Sequence, residues 1–306
     1  MSAAACSVTI REVGPRDGFQ NEPELIGLED KVRLVEALGR TGLRRIEMTS
    51  FVRPDRIPQL ADGAEVLARA ELPAGVARSV LVPNGRGLDR ALESRDHFDE
   101  VALFLSATDS HNRANVNRGS EESLVDLEEL IPRVREAGLR PTAVVAVAFG
   151  CPYEGHVEVE RLVEIGRRLA AAGVAELGLG DTTGMANPAD VPVRFGALAE
   201  ALPGVELTAH FHNTRGQGLA NVLAALGAGV ESFESSFGEI GGCPVPPGST
   251  GNVATEDLVS MLEEMGITTG IDLAALLAAS AELQKVLGRP LGSHTLVAGP
   301  VEWHRG

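Results

Sequence analysis

The sequence predicts one α/β domain with the architecture of a (β/α)8 TIM barrel, extended by an extra C-terminal helix. Eight aliphatic, strand-like runs recur along the chain, and segments with helical periodicity lie between them. Ala-Gly pairs close several of these segments, as is common at helix ends. A doubly wound sheet is the alternative, but no Gly-x-Gly-x-x-Gly motif follows the first strand.

The elements alternate in order along the chain. The strands are predicted at Val8–Val13, Leu43–Thr49, Val76–Val82, Val101–Ser106, Thr142–Phe149, Ala175–Gly180, Leu207–His212 and Val230–Ser235. The helices include Glu29–Leu38, Gly63–Ala70, Glu121–Ala137, Glu158–Ala172, Pro188–Leu202, Gly218–Leu226, Thr255–Met265 and the apolar Ile271–Leu287. The barrel therefore spans about 8–266, the helical extension 267–288 and a loop-like tail 289–306, all within a single domain covering 1–306.

Composition excludes several classes of protein. The chain has 306 residues and a net charge of −16, from 27 basic and 43 acidic side chains, so it lacks the basic surface that nucleic-acid binding needs. No apolar run has the length of a membrane span. Three widely spaced cysteines form no disulfide framework, and the N-terminus has no signal-peptide pattern. We expect a soluble cytoplasmic protein that binds neither nucleic acid nor membrane.

Polar side chains collect where the predicted strands end. In a TIM barrel the chemistry takes place at this face, because the loops after all eight strands meet there. The residues concerned are Arg16, Asp17, Glu47, Ser50, Asp181, Thr182, His210, His212, Glu239, Cys243 and Asn252.

The pair His210 and His212 is the sharpest local signal. Side chains two apart on a strand point to the same side, so both imidazoles face one cavity. Barrel closure brings the loop after the first strand beside the seventh and eighth, so Asp17 can complete a site for one divalent cation. Mixed oxygen and nitrogen ligands without a cysteine pair favour Mg2+ or Mn2+ over structural zinc. Two hydrogen-bonded core histidines are the alternative.

Arg16 precedes Asp17 in a loop restrained by glycine and proline. Its guanidinium stays protonated and can stabilise a developing enolate oxygen. The alternative is a surface turn with an exposed ion pair.

The glycine-rich segment 238–252 has the length of a lid or binding loop. Cys243 can donate or accept a proton there, and Asn252 adds a neutral oxygen ligand. The chain has only two lysines, Lys31 and Lys285, both on predicted helices. A Schiff-base aldolase mechanism is therefore excluded.

Several of these motifs together resemble the hydroxymethylglutaryl-CoA lyase family, whose members belong to a wider group of metal-dependent TIM-barrel lyases and Claisen synthases. The matching stretches are Arg11–Glu22, Ile46–Val52, Gly150–Gly155, Gly180–Thr182, His210–His212 and Gly241–Leu258. The resemblance covers the chain from Val8 to about Gly270. The cysteine loop distinguishes this family from isopropylmalate and homocitrate synthases.

The resemblance implies cleavage of 3-hydroxy-3-methylglutaryl-CoA to acetyl-CoA and acetoacetate, a ketone-body and leucine-degradation reaction, by a homodimer using Mg2+ or Mn2+. Asp17, His210, His212 and Asn252 would be metal ligands. The catalytic residues would be Arg16, Asp17, His210 and Cys243, with Arg16 as enolate stabiliser and Cys243 as acid or base. The substrate-binding residues would be Arg16, Gln20, Glu47, Ser50, Asp181 and Thr182.

A few positions depart from the family pattern. Asn213 stands where aspartate is common, Phe19 where leucine is common, and Thr142 where a strand-five arginine is expected. These changes leave open a related lyase acting on citramalyl-CoA or isohexenylglutaryl-CoA. The residues are also compatible with a condensing enzyme of the same group, or with a non-catalytic barrel that binds an acyl-CoA or a partner.

Overall fold

The eight strands form one closed parallel barrel. The structure is a computed structural model that describes residues 7–242 and 251–302. Each strand pairs with the next, and the first pairs with the last, which confirms the predicted (β/α)8 fold. The strands are β1 Thr9–Glu12, β2 Arg45–Ser50, β3 Ala77–Leu81, β4 Glu100–Ser106, β5 Arg140–Ala146, β6 Glu176–Asp181, β7 Glu206–Phe211 and β8 Ser232–Ser235.

Helices surround the barrel. They are α1 Leu28–Gly39, α2 Gly63–Arg69, α3 Gly85–Leu92, α4 Asp109–Val116, α5 Ser120–Glu136, α6 Val159–Ala172, α7 Val191–Ala201, α8 Gly218–Gly227, α9 Thr255–Glu264, α10 Leu273–Leu287 and α11 His294–Ala298. The periodicity did not indicate α3 and α4, which are short and polar. No helix within the described residues is long and apolar enough to cross a membrane.

The apolar core lies between the outer surface of the barrel and the helices. Ile46, Val101, Leu103 and Leu177 are fully buried on their strands, where their side chains can pack against the surrounding helices. Burying each aliphatic side chain of this size contributes about 1.5–3 kcal/mol. This layer positions the strand ends on which the polar residues of the mouth are built.

The interior of the barrel is ionic at the amino-terminal end of the strands, where most TIM barrels have branched apolar side chains. Arg11 on β1 contacts Glu234 at 2.6 Å, Glu176 at 3.0 Å and Glu100 at 3.3 Å. Arg45 on β2 adds contacts to Glu176 at 2.5 Å and Glu100 at 3.0 Å. We call these five residues the lower ionic cluster. It was not predicted from the sequence.

The C-terminal region differs from expectation in one way. The segment expected to be a loop-like tail contains α11, whose N-terminus is capped by Ser293. The side chain of Asp257 on α9 accepts hydrogen bonds from the Ser293 hydroxyl and from the backbone of His294 and Thr295. The apolar side of α10 packs against α1 and α9, where Leu276 and Leu283 are buried. That side is therefore part of the apolar core.

Candidate active site

The turn after β1 carries Asp17 to the mouth of the barrel beside β7 and β8. Residues Gly14–Gly18 form one tight helical turn, in which the Asp17 amide donates to the Val13 carbonyl at 2.7 Å. A Cβ on Gly14 would lie 2.5 Å from the Phe237 ring, and one on Gly18 would lie 2.4 Å from Ile240. The turn packs so closely on the segment after β8 that only glycine fits at both positions.

The structure brings Asp17, His210 and His212 together. One ligand atom from each lies within 4.8 Å of the other two. The Nε2 atoms of the two imidazoles are 3.1 Å apart. Arg16 and Gln20 donate to Asp17 Oδ1 at 2.7 and 2.9 Å. Gln20 therefore supports Asp17, and its role in substrate binding stays a prediction.

Asn252 joins the same group. Its amide nitrogen donates to Asp17 Oδ2 at 2.9 Å, and its Oδ1 is buried without a partner, as is Nδ1 of His212. Two facing imidazole nitrogens, a carboxylate and an orphaned amide oxygen are the donor set of a divalent-cation site. The residues present therefore fit such an ion.

Arg16 is held between two acids. Its Nε donates to Glu47 at 2.6 Å, and its Nη1 donates to Asp17. The pairing of β2 with β3 shifts register between Glu47 and Thr49. Arg16 is part of the mouth and not of an exposed surface turn. Glu47 is an interior ion-pair partner that orients the Arg16 guanidinium.

The protonation states follow from burial and neighbours. Burial, with the charge of His210, lowers the pKa of His212 to about 3, so this imidazole is neutral. Burial alone would raise the pKa of Asp17, but Arg16 and the two histidines hold it below its usual value. Burial also opposes ionisation of Glu234, yet the hydrogen bond from His210 and the charge of Arg11 lower its pKa.

The remaining predicted substrate residues lie at strand ends around this group. Asp181 accepts backbone hydrogen bonds from Met185 and Ala186 through Oδ1, while its Oδ2 is buried and unpartnered. Burial raises the pKa of Asp181 to about 7, although those bonds and nearby His210 oppose the shift. Ser50 is buried with an unpartnered hydroxyl.

Thr182 has a structural contact. Its hydroxyl accepts a hydrogen bond from the Val147 amide at 2.9 Å. Val147 has a φ of 52°, a strained conformation for a β-branched residue. Such strain is often found near functional sites. The Thr182 side chain thus stabilises the backbone at the end of β5.

His111 is buried on α4, and its Nδ1 lies 2.7 Å from the Ser106 hydroxyl. Cys243, the predicted acid or base, lies outside the described residues.

Sequence reasoning missed Glu234 and Arg11. Glu234 accepts from His210 Nδ1 at 2.9 Å and from Arg11 at 2.6 Å. The available signal was the presence of charged residues inside otherwise apolar strands.

Known proteins are similar to this chain over nearly its whole length. A hydroxymethylglutaryl-CoA lyase of Bacillus subtilis is 46% identical, matching 94% of this chain and 96% of its own length. An (R)-citramalyl-CoA lyase of Chloroflexus aurantiacus is 42% identical over 96% of each chain. The crystal structure of the Bacillus subtilis lyase superposes with a TM-score of 0.93 at 45% identity, covering 97% of this chain and 99% of the other.

A second solved structure, an HMG-CoA lyase from Acinetobacter baumannii in complex with coenzyme A and 3-methylmalate, has a TM-score of 0.93 at 38% identity and covers 99% of each chain. The model of the HMGL-like family matches residues 7–283. This chain is a member of the HMGL-like family.

Proposed function

We propose that this protein is a divalent-metal-dependent carbon–carbon lyase that cleaves 3-hydroxy-3-methylglutaryl-CoA to acetyl-CoA and acetoacetate. The observation that carries the proposal is the convergence of Asp17, His210 and His212 within 4.8 Å, with Arg16 2.7 Å from Asp17. The named lyases at about 40% identity or more supply the substrate class.

The charges at the site support a divalent ion. The ionic side chains of the mouth and the lower ionic cluster comprise three guanidinium groups and five carboxylates. They are Arg11, Arg16, Arg45, Asp17, Glu47, Glu100, Glu176 and Glu234. The more exposed Arg140 and Glu206 pair with each other at 2.5 Å and add no net charge. When both imidazoles are neutral, as ligands of a metal ion must be, the carboxylates of this set outnumber its guanidinium groups by two. Buried charge of this kind is costly unless it is paired, and a divalent cation would balance it.

Asp17, His210, His212 and Asn252 would hold the ion, which we propose to be Mg2+ or Mn2+. The chemistry that this ion supplies is Lewis acidity toward the tertiary hydroxyl of the substrate. Hard oxygen ligands from Asp17 and Asn252 suit these two ions.

The side chains of this protein account for the other requirements of the cleavage. The hydroxyl proton leaves to a base, which we assign to the Asp17 carboxylate because both ring nitrogens of His210 are engaged, and the bond between C2 and C3 breaks. The products are acetoacetate and the enolate of acetyl-CoA, which then takes one proton at carbon. Arg16, fixed by Glu47, stabilises the enolate oxygen. We assign the proton donation to Cys243, and Gln20, Glu47, Ser50, Asp181 and Thr182 support or line the cavity.

A second substrate is favoured by one specific observation. The (R)-citramalyl-CoA lyase is nearly as similar as the first lyase, at 42% against 46% identity. Citramalyl-CoA also carries a tertiary hydroxyl beside the bond that breaks, so the same residues would perform the reaction. The two substrates differ in the chain around that carbon.

The test uses metal-stripped protein with each thioester in turn, and products are identified by mass spectrometry. We expect EDTA to abolish release of acetyl-CoA from 3-hydroxy-3-methylglutaryl-CoA, and Mg2+ or Mn2+ to restore it. Binding of the ion at 100 times its Kd should also stabilise the fold by about 2.7 kcal/mol, which thermal unfolding measures.

The matched control is Asp17→Asn, which keeps the size of the side chain but removes its charge. It should neither turn over nor gain stability from the ion. Turnover that persists after chelation would overturn the metal-dependent proposal, and faster cleavage of citramalyl-CoA would change the substrate.

We also propose that the enzyme is a homodimer in the cytoplasm, as its family resemblance suggests. Light scattering of the purified protein measures its mass in solution, and fractionation of the source cells tests its location. A monomer, or recovery outside the cytoplasmic fraction, would refute the respective proposal.

A further inference from the structure

The strongest feature outside the predicted site is the chain of contacts that leads from the mouth into the lower ionic cluster. Glu234 on β8 lies between His210 and Arg11. Its Oε2 is 2.9 Å from His210 Nδ1, and its Oε1 accepts from Arg11 Nη1 at 2.6 Å. All three side chains are buried, and Glu234 pairs in register with His210 on one side and with Arg11 on the other.

The geometry determines which atoms carry protons. A guanidinium nitrogen can only donate, so the Glu234 oxygen facing Arg11 must accept. The other oxygen of the same ionised carboxylate also accepts, and therefore His210 Nδ1 must be the donor. In the neutral imidazole, a proton on Nδ1 leaves a lone pair on Nε2. This Nε2 is the atom that faces His212 and lies near Asp17.

We propose that Glu234, anchored by Arg11, is a positioning residue that fixes His210 in the Nδ1–H tautomer and thereby prepares its Nε2 to bind the divalent ion. This inference rests on the proposed function only for the identity of the ion. Partners of this kind on the far side of a histidine ligand typically contribute 10–100-fold to metal affinity.

The substitution Glu234→Gln tests the proposal, because the side chains are nearly the same size. The amide oxygen must face Arg11, so the amide NH2 faces His210 Nδ1. His210 Nδ1 must then accept a hydrogen bond, so the imidazole proton moves to Nε2. A proton on Nε2 blocks the atom that would bind the ion. We therefore expect Glu234→Gln to fold and to hold His210 in the Nε2–H tautomer.

The matched control is Glu100→Gln. Glu100 contacts Arg11 at 3.3 Å and Arg45 at 3.0 Å, but it has no contact with His210. Both variants remove one negative charge from the lower ionic cluster. Only Glu234→Gln changes the group that faces His210 Nδ1.

Two measurements on metal-stripped protein read out the effect without any turnover. Nitrogen-15 NMR of histidine-labelled protein at alkaline pH reports the tautomer, and the His210 signal is assigned by its loss in His210→Gln. Electron paramagnetic resonance of added Mn2+ gives the metal affinity. We expect the Nδ1–H tautomer in wild type and the Nε2–H tautomer in Glu234→Gln. The Mn2+ affinity of Glu234→Gln should be about 10–100-fold weaker, and that of Glu100→Gln close to wild type.

The wild-type spectrum keeps the proposal falsifiable if Glu234→Gln does not fold. An Nε2–H tautomer in wild type, unchanged Mn2+ affinity in Glu234→Gln, or an equal loss in Glu100→Gln would overturn it. These outcomes are independent of the proposed function. A wild-type protein that cleaves no thioester but shows the expected tautomer and affinities would refute the function and leave this inference standing.

Discussion

The two ends of the barrel interior contain the same kinds of charged side chain but differ in how completely these are paired. In the lower ionic cluster, every carboxylate oxygen of Glu100, Glu176 and Glu234 has a partner within 3.5 Å. At the mouth, Asn252 Oδ1, Asp181 Oδ2 and His212 Nδ1 are buried without one.

The difference distinguishes ionic side chains that stabilise the fold from polar atoms that are available to bind a ligand. Every carboxylate of the lower ionic cluster is paired and only Arg11 Nε lacks a partner there, whereas an unpartnered buried polar atom carries a desolvation cost of about 1–3 kcal/mol. Under the proposed function, the ion would satisfy Asn252 Oδ1 and the substrate would satisfy Asp181 Oδ2. Glu234 connects the two regions, since it belongs to the lower network and contacts a residue of the mouth.

The largest effect is expected from breaking the lower network at a residue that does not reach the mouth. Arg45→Met should lower the free energy of unfolding by about 3–5 kcal/mol, because Glu100 and Glu176 each lose a buried partner. Urea unfolding measures this loss, and kcat per folded molecule should stay near wild type. A stable protein with lost turnover would show that the two regions are not separable.

At the mouth, a substitution is expected to lower the rate of the reaction and not the stability of the fold. Arg16→Met should lower kcat about 10²–10³-fold, because the enolate oxygen loses its cation. The KM should change less than kcat. Arg16→Lys is the control that keeps a charge but loses the two-sided contact with Glu47 and Asp17. An unchanged kcat in Arg16→Met would remove Arg16 from the reaction.

The smallest effect concerns a buried carboxylate that has neither a guanidinium partner nor a ligand. Glu256 on α9 accepts from the Gly238 amide at 2.8 Å and from the Ser280 hydroxyl. Burial, opposed by these hydrogen bonds, raises its pKa to about 7 from the usual 4.5. The stability that Glu256 contributes is therefore present below pH 4.5 and is lost as the pH rises to about 7.

Glu256 alone should contribute at most about 1.4 kcal/mol per pH unit to the slope of unfolding free energy in that window. Urea unfolding across the window should show this decline in wild type and a shallower one in Glu256→Gln. Equal slopes in the two proteins would mean that Glu256 titrates normally.

Much of the fold was predictable because its signals are local. The aliphatic runs predicted all eight strands to within a few residues, since a strand buried on its outer face needs apolar side chains whatever surrounds it. Helices α3 and α4 were missed because they are short and polar, so they contain few apolar residues to indicate a helical period. The α11 helix was missed for a related reason, since its first turn is satisfied by Asp257 about 37 residues earlier.

The residue types at the mouth were also predictable, because His210 and His212 share a strand and Asp17 follows β1. Their separation and the contact of Glu234 with His210 were not, because both depend on the pairing of β8 with β1 and with β7. The support of Asp17 by Gln20 lies within one turn of the chain and was missed although the two residues are only three apart.

The sequence by itself determined the strand and helix order and the set of side chains able to bind an ion, because periodicity and residue chemistry are properties of short segments. Only the tertiary structure decided which charges are saturated and which await a ligand. The closed barrel brings β1 beside β8, and this contact pairs Arg11 with Glu234 and places Asp17 beside two imidazoles. The physical reason is that pairing and desolvation depend on distances between atoms, and barrel closure sets those distances.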